Sequence, residues 1–287
     1  MVVPPTLAVV HDHGDGPAVV LLHGQPGTAA DWVGVVNCLP STVRAVVPDR
    51  PGYGRTDGRA TGFAGNAAAV VALLDQLGID QAHVVGYSWS GGVALAMARD
   101  EPGRLTGVTF VASVRPGTSL GVLDRALAMP VVGEAASAVA VGVTGLVLQI
   151  PRVRQAVDRR YRGTTDEGLN ALGQALAGWR AGISFYREQR ALVEELDGLA
   201  EVLPALPALS IPVTVLYGTN DRIVPPAQGA ELGRAIPGAR VVVVEGAGHL
   251  LPHERPEVVA EAVLDALGVL DPVDVCDPHE GEPPRTL

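Results

Sequence analysis

Ser88 lies in a segment whose composition suits a serine nucleophile held on a tight turn. The segment Gly86-Tyr87-Ser88-Trp89-Ser90 follows an apolar run and precedes a stretch of small residues. A nucleophile on such a strand-to-helix turn has strained backbone angles, so the residues two before and two after it must be small. We predict Ser88 as the nucleophile because it follows the strand directly. Ser90 stands where glycine is usual and is the alternative.

A serine hydroxyl needs an adjacent base, and the base needs a partner that fixes its tautomer. His249 is the predicted base because it lies in a glycine-rich loop after a Val-rich run, and His253 is the alternative. Asp221 is the predicted partner because it follows another apolar run. Asp49 also ends such a run, but it precedes the serine and lies in a turn-like segment. The sequence therefore predicts a triad in the chain order Ser88, Asp221, His249.

Backbone amides near the predicted nucleophile can bind the negative charge that develops on a substrate carbonyl oxygen. The Trp89 amide directly follows Ser88, and the Gln25 amide lies in the loop 23–27, His-Gly-Gln-Pro-Gly. Each such donor stabilises a tetrahedral oxyanion by roughly 3–4 kcal/mol. We predict Gln25 and Trp89 as the oxyanion hole, with an ordinary Gly/Pro turn as the alternative for the Gln25 loop.

Alternating strands and helices are predicted to position these residues. Helical patterns occupy 64–78 and 257–267. Strands that alternate with helices imply an α/β fold with a mostly parallel central sheet flanked by helices, and ligands bind at the carboxyl ends of such strands. The continuous apolar runs of strand length are 18–23, 43–49, 83–88, 108–113, 213–218 and 241–245.

A long helical stretch interrupts this alternation and is predicted to form a cap inserted between two strands. The cap is predicted at 115–205, the core at 1–114 and 206–270, and a loose tail rich in acids and proline at 271–287. Apolar cap residues predict an apolar substrate pocket, whereas packing of the cap against the sheet is the alternative. These residues are Leu146, Val147, Leu148, Ile150, Leu172, Leu176, Trp179 and Phe185, of which Leu148 and Trp179 are the named substrate-binding candidates.

The charge balance argues against a nucleic-acid partner. The 287 residues include 21 basic and 31 acidic ones, for a net charge of -10, which phosphate backbones repel. Every basic residue is arginine, so a lysine Schiff base is excluded. The uncharged segment 135–150 is shorter than the roughly 18–20 apolar residues of a membrane span, so no stable membrane insertion is expected. The expected partner is a small-molecule substrate, and the expected state is a monomer or homodimer.

The remaining histidines and the cysteines do not show the spacing of a metal site. His11 and His13 flank an acid near the N-terminus, but no second cluster supports a metal there. His83 begins a strand and is predicted to be structural. Cys38 and Cys276 are too few for a disulfide framework, which favours a reducing compartment. We predict no metal, no cofactor and a cytoplasmic location.

These segments together resemble the landmarks of the α/β-hydrolase superfamily over nearly the whole chain. The form of the first motif, together with Trp89, is similar to the capped branch that also contains epoxide hydrolases and haloalkane dehalogenases. Those enzymes attack with an aspartate, whereas Ser88 here implies an acyl-enzyme. The matching segments, in chain order, are HGQPG, DRPGYGRTD, GYSWSGG, GTNDRIVPP and GAGHLLPHERPE.

The resemblance implies a serine hydrolase that cleaves an ester, lactone or related carbonyl bond of a small to medium, largely apolar substrate. A carboxylic-ester hydrolase is the expected class. An acyltransferase or a carbon–carbon bond-cleaving enzyme with the same triad is the alternative. A third interpretation is a ligand-binding protein without catalysis on this scaffold.

Overall fold

A seven-stranded sheet forms the centre of the fold. The computed structural model describes residues 5–118, 120–161, 169–170, 172–173 and 176–269, so the predicted tail at 271–287, including Cys276, lies outside the described residues. The strands are β1 Val9–His13, β2 Ala18–Leu22, β3 Arg44–Pro48, β4 Ala82–Tyr87, β5 Leu105–Val111, β6 Val213–Gly218 and β7 Arg240–Val244.

The strand order is β1-β3-β2-β4-β5-β6-β7, and only β1 runs antiparallel to its neighbour. The predicted mostly parallel sheet is therefore confirmed. All residues of β4 are buried, as expected for a central strand covered on both faces. Because the strands are parallel, the loops that follow β2, β4, β6 and β7 meet at one edge of the sheet.

Strand β1 was not predicted from the sequence, and β5 starts earlier than predicted. β1 carries polar residues and is half-buried at the sheet edge, so it lacks the continuous apolar run that marks the inner strands. β5 begins at Leu105, three residues before the predicted start, because the exposed Thr106 interrupts its apolar pattern. The other predicted strands form with ends shifted by at most one residue.

Helices cover both faces of the sheet and also follow β5. Buried residues of α1 and α11 pack on one face, and those of α2, α3 and α9 pack on the other. The helices are α1 Val33–Asn37, α2 Phe63–Gln76, α3 Gly91–Asp100, α4 Val122–Leu127, α5 Val132–Leu148, α6 Pro151–Tyr161, α7 Trp179–Glu195, α8 Val202–Ala205, α9 Pro226–Ala235, α10 Leu251–Glu254 and α11 Pro256–Leu267.

The helices α4 to α8 lie between β5 and β6 in the chain, where the sequence predicts the cap. Small residues let α5 approach its neighbours closely. A Cβ atom added at Gly182 in α7 would lie 2.3 Å from the Ala138 Cα atom of α5, and one at Gly145 would lie 2.3 Å from the Ala177 nitrogen. Larger side chains at these two glycines would push the helices apart.

None of the described helices is by itself long and apolar enough to cross a membrane. By length and composition alone, one bent pair passes the same test, Val132–Leu148 with Pro151–Val157, and its two helices are bent by 98° at the break.

His83 in β4 is a buried structural residue. Its Nε2 atom lies 2.8 Å from the Thr109 hydroxyl on the neighbouring strand β5. Burial lowers the pKa of His83 from 6.5 to about 4, because the imidazolium ion cannot be solvated inside the sheet. The folded protein therefore holds this histidine neutral at pH values at which an exposed histidine is charged.

We expect this histidine to make folding stability depend on pH. As the pH falls from 6.5 to about 4, the unfolded chain binds a proton at His83 that the folded chain excludes, so the free energy of unfolding decreases. One histidine contributes a slope of up to about 1.4 kcal/mol per pH unit. Urea unfolding at several pH values should show that His83→Gln loses less stability across this window than the original chain. Identical pH dependence in both proteins would contradict the assignment.

Candidate active site

Ser88 lies on a sharp turn between β4 and α3. Its φ angle is 54°, in the left-handed region that non-glycine residues rarely adopt. A Cβ atom added at Gly86 would lie 2.6 Å from the Ser90 carbonyl oxygen, so only glycine lets strand and helix approach this closely. The turn places the Ser88 side chain at the edge of the sheet, and its strained conformation is a typical feature of functional sites.

Ser88, His249 and Asp221 form a continuous hydrogen-bonded chain. His249 Nε2 lies 3.0 Å from the Ser88 Oγ atom, and His249 Nδ1 lies 2.8 Å from the Asp221 Oδ2 atom. All three residues are at least nine-tenths buried. The structure thus brings together the three side chains that the sequence analysis proposed, although Ser88 and His249 are 161 positions apart.

The Asp221 carboxylate is held in place by its own loop. Its Oδ1 atom accepts hydrogen bonds from the backbone amides of Ile223 and Val224, at 2.8 and 2.9 Å. Its Oδ2 atom remains directed at the imidazole of His249. Because both oxygens have fixed partners, the carboxylate sets the orientation of the imidazole ring.

The loop after β7 positions His249. The Gly248 amide donates a 2.7 Å hydrogen bond to the Glu254 carboxylate of α10, which anchors the loop beside the imidazole. The Tyr87 ring lies 5.5 Å from the imidazole, between the centroids, and limits its movement on one side. Burial raises the pKa of Tyr87 well above 10, and the nearby carboxylates of Asp31, Asp221 and Glu254 raise it further. The phenol therefore stays neutral.

Ser90, the alternative nucleophile, has a different position. Its side chain is fully buried, and its hydroxyl donates a 2.6 Å hydrogen bond to the carbonyl oxygen of His23. The Ser90 hydroxyl, at a position where glycine is usual, therefore links the turn after β4 to the loop after β2. This contact explains why a serine is accommodated there.

Asp49 and His253, the alternatives for the acid and the base, also lie outside the hydrogen-bonded chain. The Asp49 carboxylate accepts hydrogen bonds from the amides of Ala29 and Arg55, both at 2.8 Å. The Nε2 atom of His253 lies 3.4 Å from an Asp31 oxygen. Both residues stabilise neighbouring loops.

The loop after β2 passes directly beside Ser88. A Cβ atom added at Gly24 would lie 3.3 Å from the Ser88 Cβ atom, so any side chain at this position of the loop would contact the serine. The side-chain amide of the next residue, Gln25, donates a 2.8 Å hydrogen bond to the carbonyl oxygen of Phe185 in α7. The Gln25–Pro26 peptide bond is cis. This loop therefore connects the serine to the helices that follow β5.

Arg50 and Glu188 form a buried ion pair that the sequence analysis missed. The Arg50 side chain is 1% exposed and that of Glu188 is fully buried. The Arg50 guanidinium also donates to the carbonyl oxygens of His23 and Gly24, at 3.0 and 2.7 Å. Tyr53 donates a 2.8 Å hydrogen bond to the Glu188 carboxylate. Burial raises the pKa of Glu188 above its ordinary value, and the charge of Arg50 opposes this rise.

The same ion pair holds the Trp89 side chain. The Arg50 guanidinium lies 4.7 Å from the centroid of the Trp89 indole ring, a cation–π distance. The indole N–H donates a 3.0 Å hydrogen bond to the backbone carbonyl of Glu188, and the ring stacks on Phe63. The Trp89 side chain is therefore held from one side by the Arg50 guanidinium of the core and from another by the backbone of helix α7 in the predicted cap.

His23 is neutral in this arrangement. Its Nε2 atom accepts a 2.9 Å hydrogen bond from the Arg50 amide, so its Nδ1–H donates to the Gly24 carbonyl at 2.9 Å. Burial lowers the pKa of His23 well below 6.5, and the positive charge of Arg50 lowers it further. The imidazole therefore links the loop after β2, through Gly24, to the loop after β3, through the Arg50 amide.

The two named substrate-binding candidates lie apart from these contacts. Leu148 is buried at the end of α5, whereas Trp179 is 73% exposed at the start of α7. Leu146, Val147 and Ile150, which we expected in a pocket or against the sheet, are instead exposed to solvent. That expectation is wrong for these three residues, because the buried face of α5 is a different one, formed by Gly133, Ser137, Val141, Gly145 and Leu148.

The described residues contain no group of three or more His, Cys, Asp or Glu side chains that could hold a metal ion. His11 and His13 lie on β1 with their ring centroids 6.1 Å apart. The described part of the chain therefore offers hydrogen-bonding and nucleophilic groups around Ser88, and these groups are suited to acyl transfer.

The chain belongs to the α/β-hydrolase family, whose model, described as alpha/beta hydrolase fold, matches residues 17–256. A non-heme chloroperoxidase of Streptomyces lividans is 30% identical, over 87% of this chain and 91% of the relative. A 2-hydroxymuconate semialdehyde hydrolase of Pseudomonas putida is 29% identical, over 91% of each chain. The structure of a thermophilic esterase from Thermogutta terrifontis superposes with a TM-score of 0.72 at 28% identity, over 91% of this chain and 93% of the esterase.

We expect Glu188→Ala to lower the free energy of unfolding by about 3–5 kcal/mol, because it leaves the Arg50 guanidinium buried without its carboxylate. Urea denaturation followed by circular dichroism measures this loss. Glu194→Ala on the same helix is the matched control, since Glu194 pairs with Arg190 while both side chains are partly exposed. The control should change stability little. Equal losses in the two variants would contradict the importance of the buried pair.

Proposed function

We propose that this protein is a serine hydrolase that cleaves an ester or lactone of a small to medium, largely apolar substrate through an acyl-enzyme on Ser88. The observation that carries this proposal is the hydrogen-bonded chain from Ser88 through His249 to Asp221. The named relatives support carbonyl chemistry, since they include an esterase and a semialdehyde hydrolase.

The first half of the reaction forms the acyl-enzyme. His249 Nε2 accepts the proton of the Ser88 hydroxyl while the Ser88 oxygen attacks the substrate carbonyl carbon. Asp221 holds the protonated imidazole and stabilises its charge. When the tetrahedral intermediate collapses, the bond between the carbonyl carbon and the alcohol oxygen breaks. The leaving alkoxide takes the proton from His249, and the acyl group stays on Ser88.

The amides of Gln25 and Trp89 are the proposed oxyanion donors. Trp89 follows the nucleophile at the start of a helical turn, and helix N-termini favour negative charge. The Gln25 loop lies against Ser88, and two helical carbonyls hold the side chains of both donor residues. Donors that are fixed before the reaction do not have to reorganise as charge develops.

Water completes the second half of the reaction. His249 removes a proton from a water molecule, and the resulting hydroxide attacks the acyl carbon. The ester bond to Ser88 breaks, and His249 returns the proton to the serine oxygen. The acid product then leaves.

A different acceptor in this second half would give a different activity from the same groups. One relative is a non-heme chloroperoxidase, so hydrogen peroxide should be included among the acceptors that are tested. Product analysis with water, an alcohol and hydrogen peroxide in competition measures how the acyl group is divided among them. Free acid as the main product supports the hydrolase, whereas a dominant transfer to alcohol supports an acyltransferase.

We expect a fluorophosphonate probe to label the intact protein on Ser88. Ser88→Ala should abolish labelling, because the probe needs a hydroxyl activated by His249. Ser90→Ala is the matched control and should keep its label, since the Ser90 hydroxyl is directed at the His23 carbonyl. Mass spectrometry of the labelled peptide identifies the modified residue. Labelling that persists in Ser88→Ala would overturn the proposed nucleophile.

We expect Asp221→Asn to lower kcat for p-nitrophenyl acetate by roughly 10³- to 10⁴-fold, because an amide can no longer fix the imidazole tautomer. Steady-state kinetics with thermal unfolding as a folding check measures this effect. Asp49→Asn provides the comparison, because its carboxylate contacts backbone amides instead of His249. A loss of kcat with Asp49→Asn and none with Asp221→Asn would reverse the assignment of the acid.

A further inference from the structure

The outward face of α5 is apolar along its whole length. Val139, Val143 and Leu146 expose 65%, 51% and 61% of their surface. No charged residue occurs between Glu134 and Arg152. A helix on the surface of a protein with a net charge of -10 would ordinarily show polar residues to solvent.

The inward face of α5 consists mainly of small residues. Its buried members are Gly133, Ser137, Val141, Gly145 and Leu148, of which only Val141 and Leu148 are large and aliphatic. At 3.6 residues per turn, the large exposed aliphatic residues lie on the opposite side of the helix. The packing of α5 on the described part of its own chain therefore leaves most of its large apolar side chains exposed.

The spacing of the exposed residues is that of a helix-pairing seam. Successive intervals of four, three, four and three residues separate the members of the seam, which continues for about 21 Å. This spacing places apolar side chains at the a and d positions of a heptad. The members are Val132, Ala136, Val139, Val143 and Leu146, and every one of them is exposed.

Small residues border this seam. Ala135, Gly142 and Ala140 lie beside the large side chains. A ridge of large residues with small residues on either side lets a second helix approach and interdigitate. A lipid surface requires no such spacing, and Thr144 and Gln149 narrow the apolar face on both sides.

We propose that the α5 seam binds the same seam of a second copy of this chain and forms a two-fold symmetric dimer. An uncharged surface is self-complementary, as an isologous interface requires, whereas the acidic remainder of the chain repels a second copy. Val122, Leu123, Met129 and Val131, exposed by 87%, 70%, 53% and 77%, extend the apolar surface beyond the helix. Exposed apolar patches rimmed by polar residues are typical of protein–protein interaction sites, whereas single exposed apolar residues are common on any monomer.

Two other occupants fit this surface less well. Anionic lipid would be repelled by the net charge of -10. The tail at 271–287 carries four prolines and clustered acids, so its sequence does not match an apolar heptad. Both remain outcomes of the experiment below.

The test measures the mass of the full chain by sedimentation velocity and light scattering over a concentration series. We expect the original chain to be a dimer and the double variant Val139→Glu, Val143→Glu to be a monomer, with a dissociation constant raised at least about tenfold. Both positions are exposed in the monomer, so the variant should fold normally by circular dichroism and keep its fluorophosphonate labelling.

The double variant Thr144→Glu, Gln149→Glu is the matched control, because it adds the same two charges at neighbouring exposed positions outside the seam. It should remain a dimer. An original chain that stays monomeric at about 100 μM would overturn the proposal. So would a Val139→Glu, Val143→Glu variant that remains dimeric, a chain that dimerises only after residues 271–287 are removed, or a monomer that binds anionic phosphatidylglycerol vesicles through this face.

Discussion

The buried guanidinium of Arg50 is the interaction on which the arrangement of the site depends. It lies where the loop after β2, the turn after β4 and helix α7 meet, and it contacts all three. A buried charge is costly unless every donor has a partner, and here carbonyl oxygens, the Glu188 carboxylate and the Trp89 ring provide them. Removal of one partner therefore affects elements that are far apart in sequence.

This interaction links the predicted cap to the proposed reaction centre. Both residues that supply the proposed oxyanion amides are held by carbonyl oxygens of α7, Gln25 by that of Phe185 and Trp89 by that of Glu188. The hydroxyl of Ser90 adds a third connection, from the nucleophile turn to the His23 carbonyl. A shift of α7 would thus move both proposed donors, because each is tied to this helix by a hydrogen bond. The strained φ of Ser88 persists because these surrounding contacts over-determine the turn.

Helix α5, by contrast, leaves most of its large aliphatic residues exposed. It packs inward mainly through small residues, with Val141 and Leu148 as the buried aliphatic ones, so packing within the described chain does not account for its exposed apolar residues. From the sequence, Leu146 and Val147 were expected in a pocket or against the sheet, since apolar side chains usually face inward. An interface between copies reconciles the apolar composition with the outward orientation.

The sequence alone determined the parallel sheet and the identity of the chemical groups. Val-rich runs define the inner strands, Gly86 permits the tight turn, and Ser88, Asp221 and His249 each lie in a segment that follows a strand; these are local properties. The tertiary structure alone decided which distant groups meet. Arg50 pairs with Glu188 across 138 positions, and no local pattern marks either residue as a partner. Close helix packing at Gly145 and Gly182 likewise decided which face of α5 turns inward. Periodicity reveals that a helix has two faces but not which face the rest of the chain will cover.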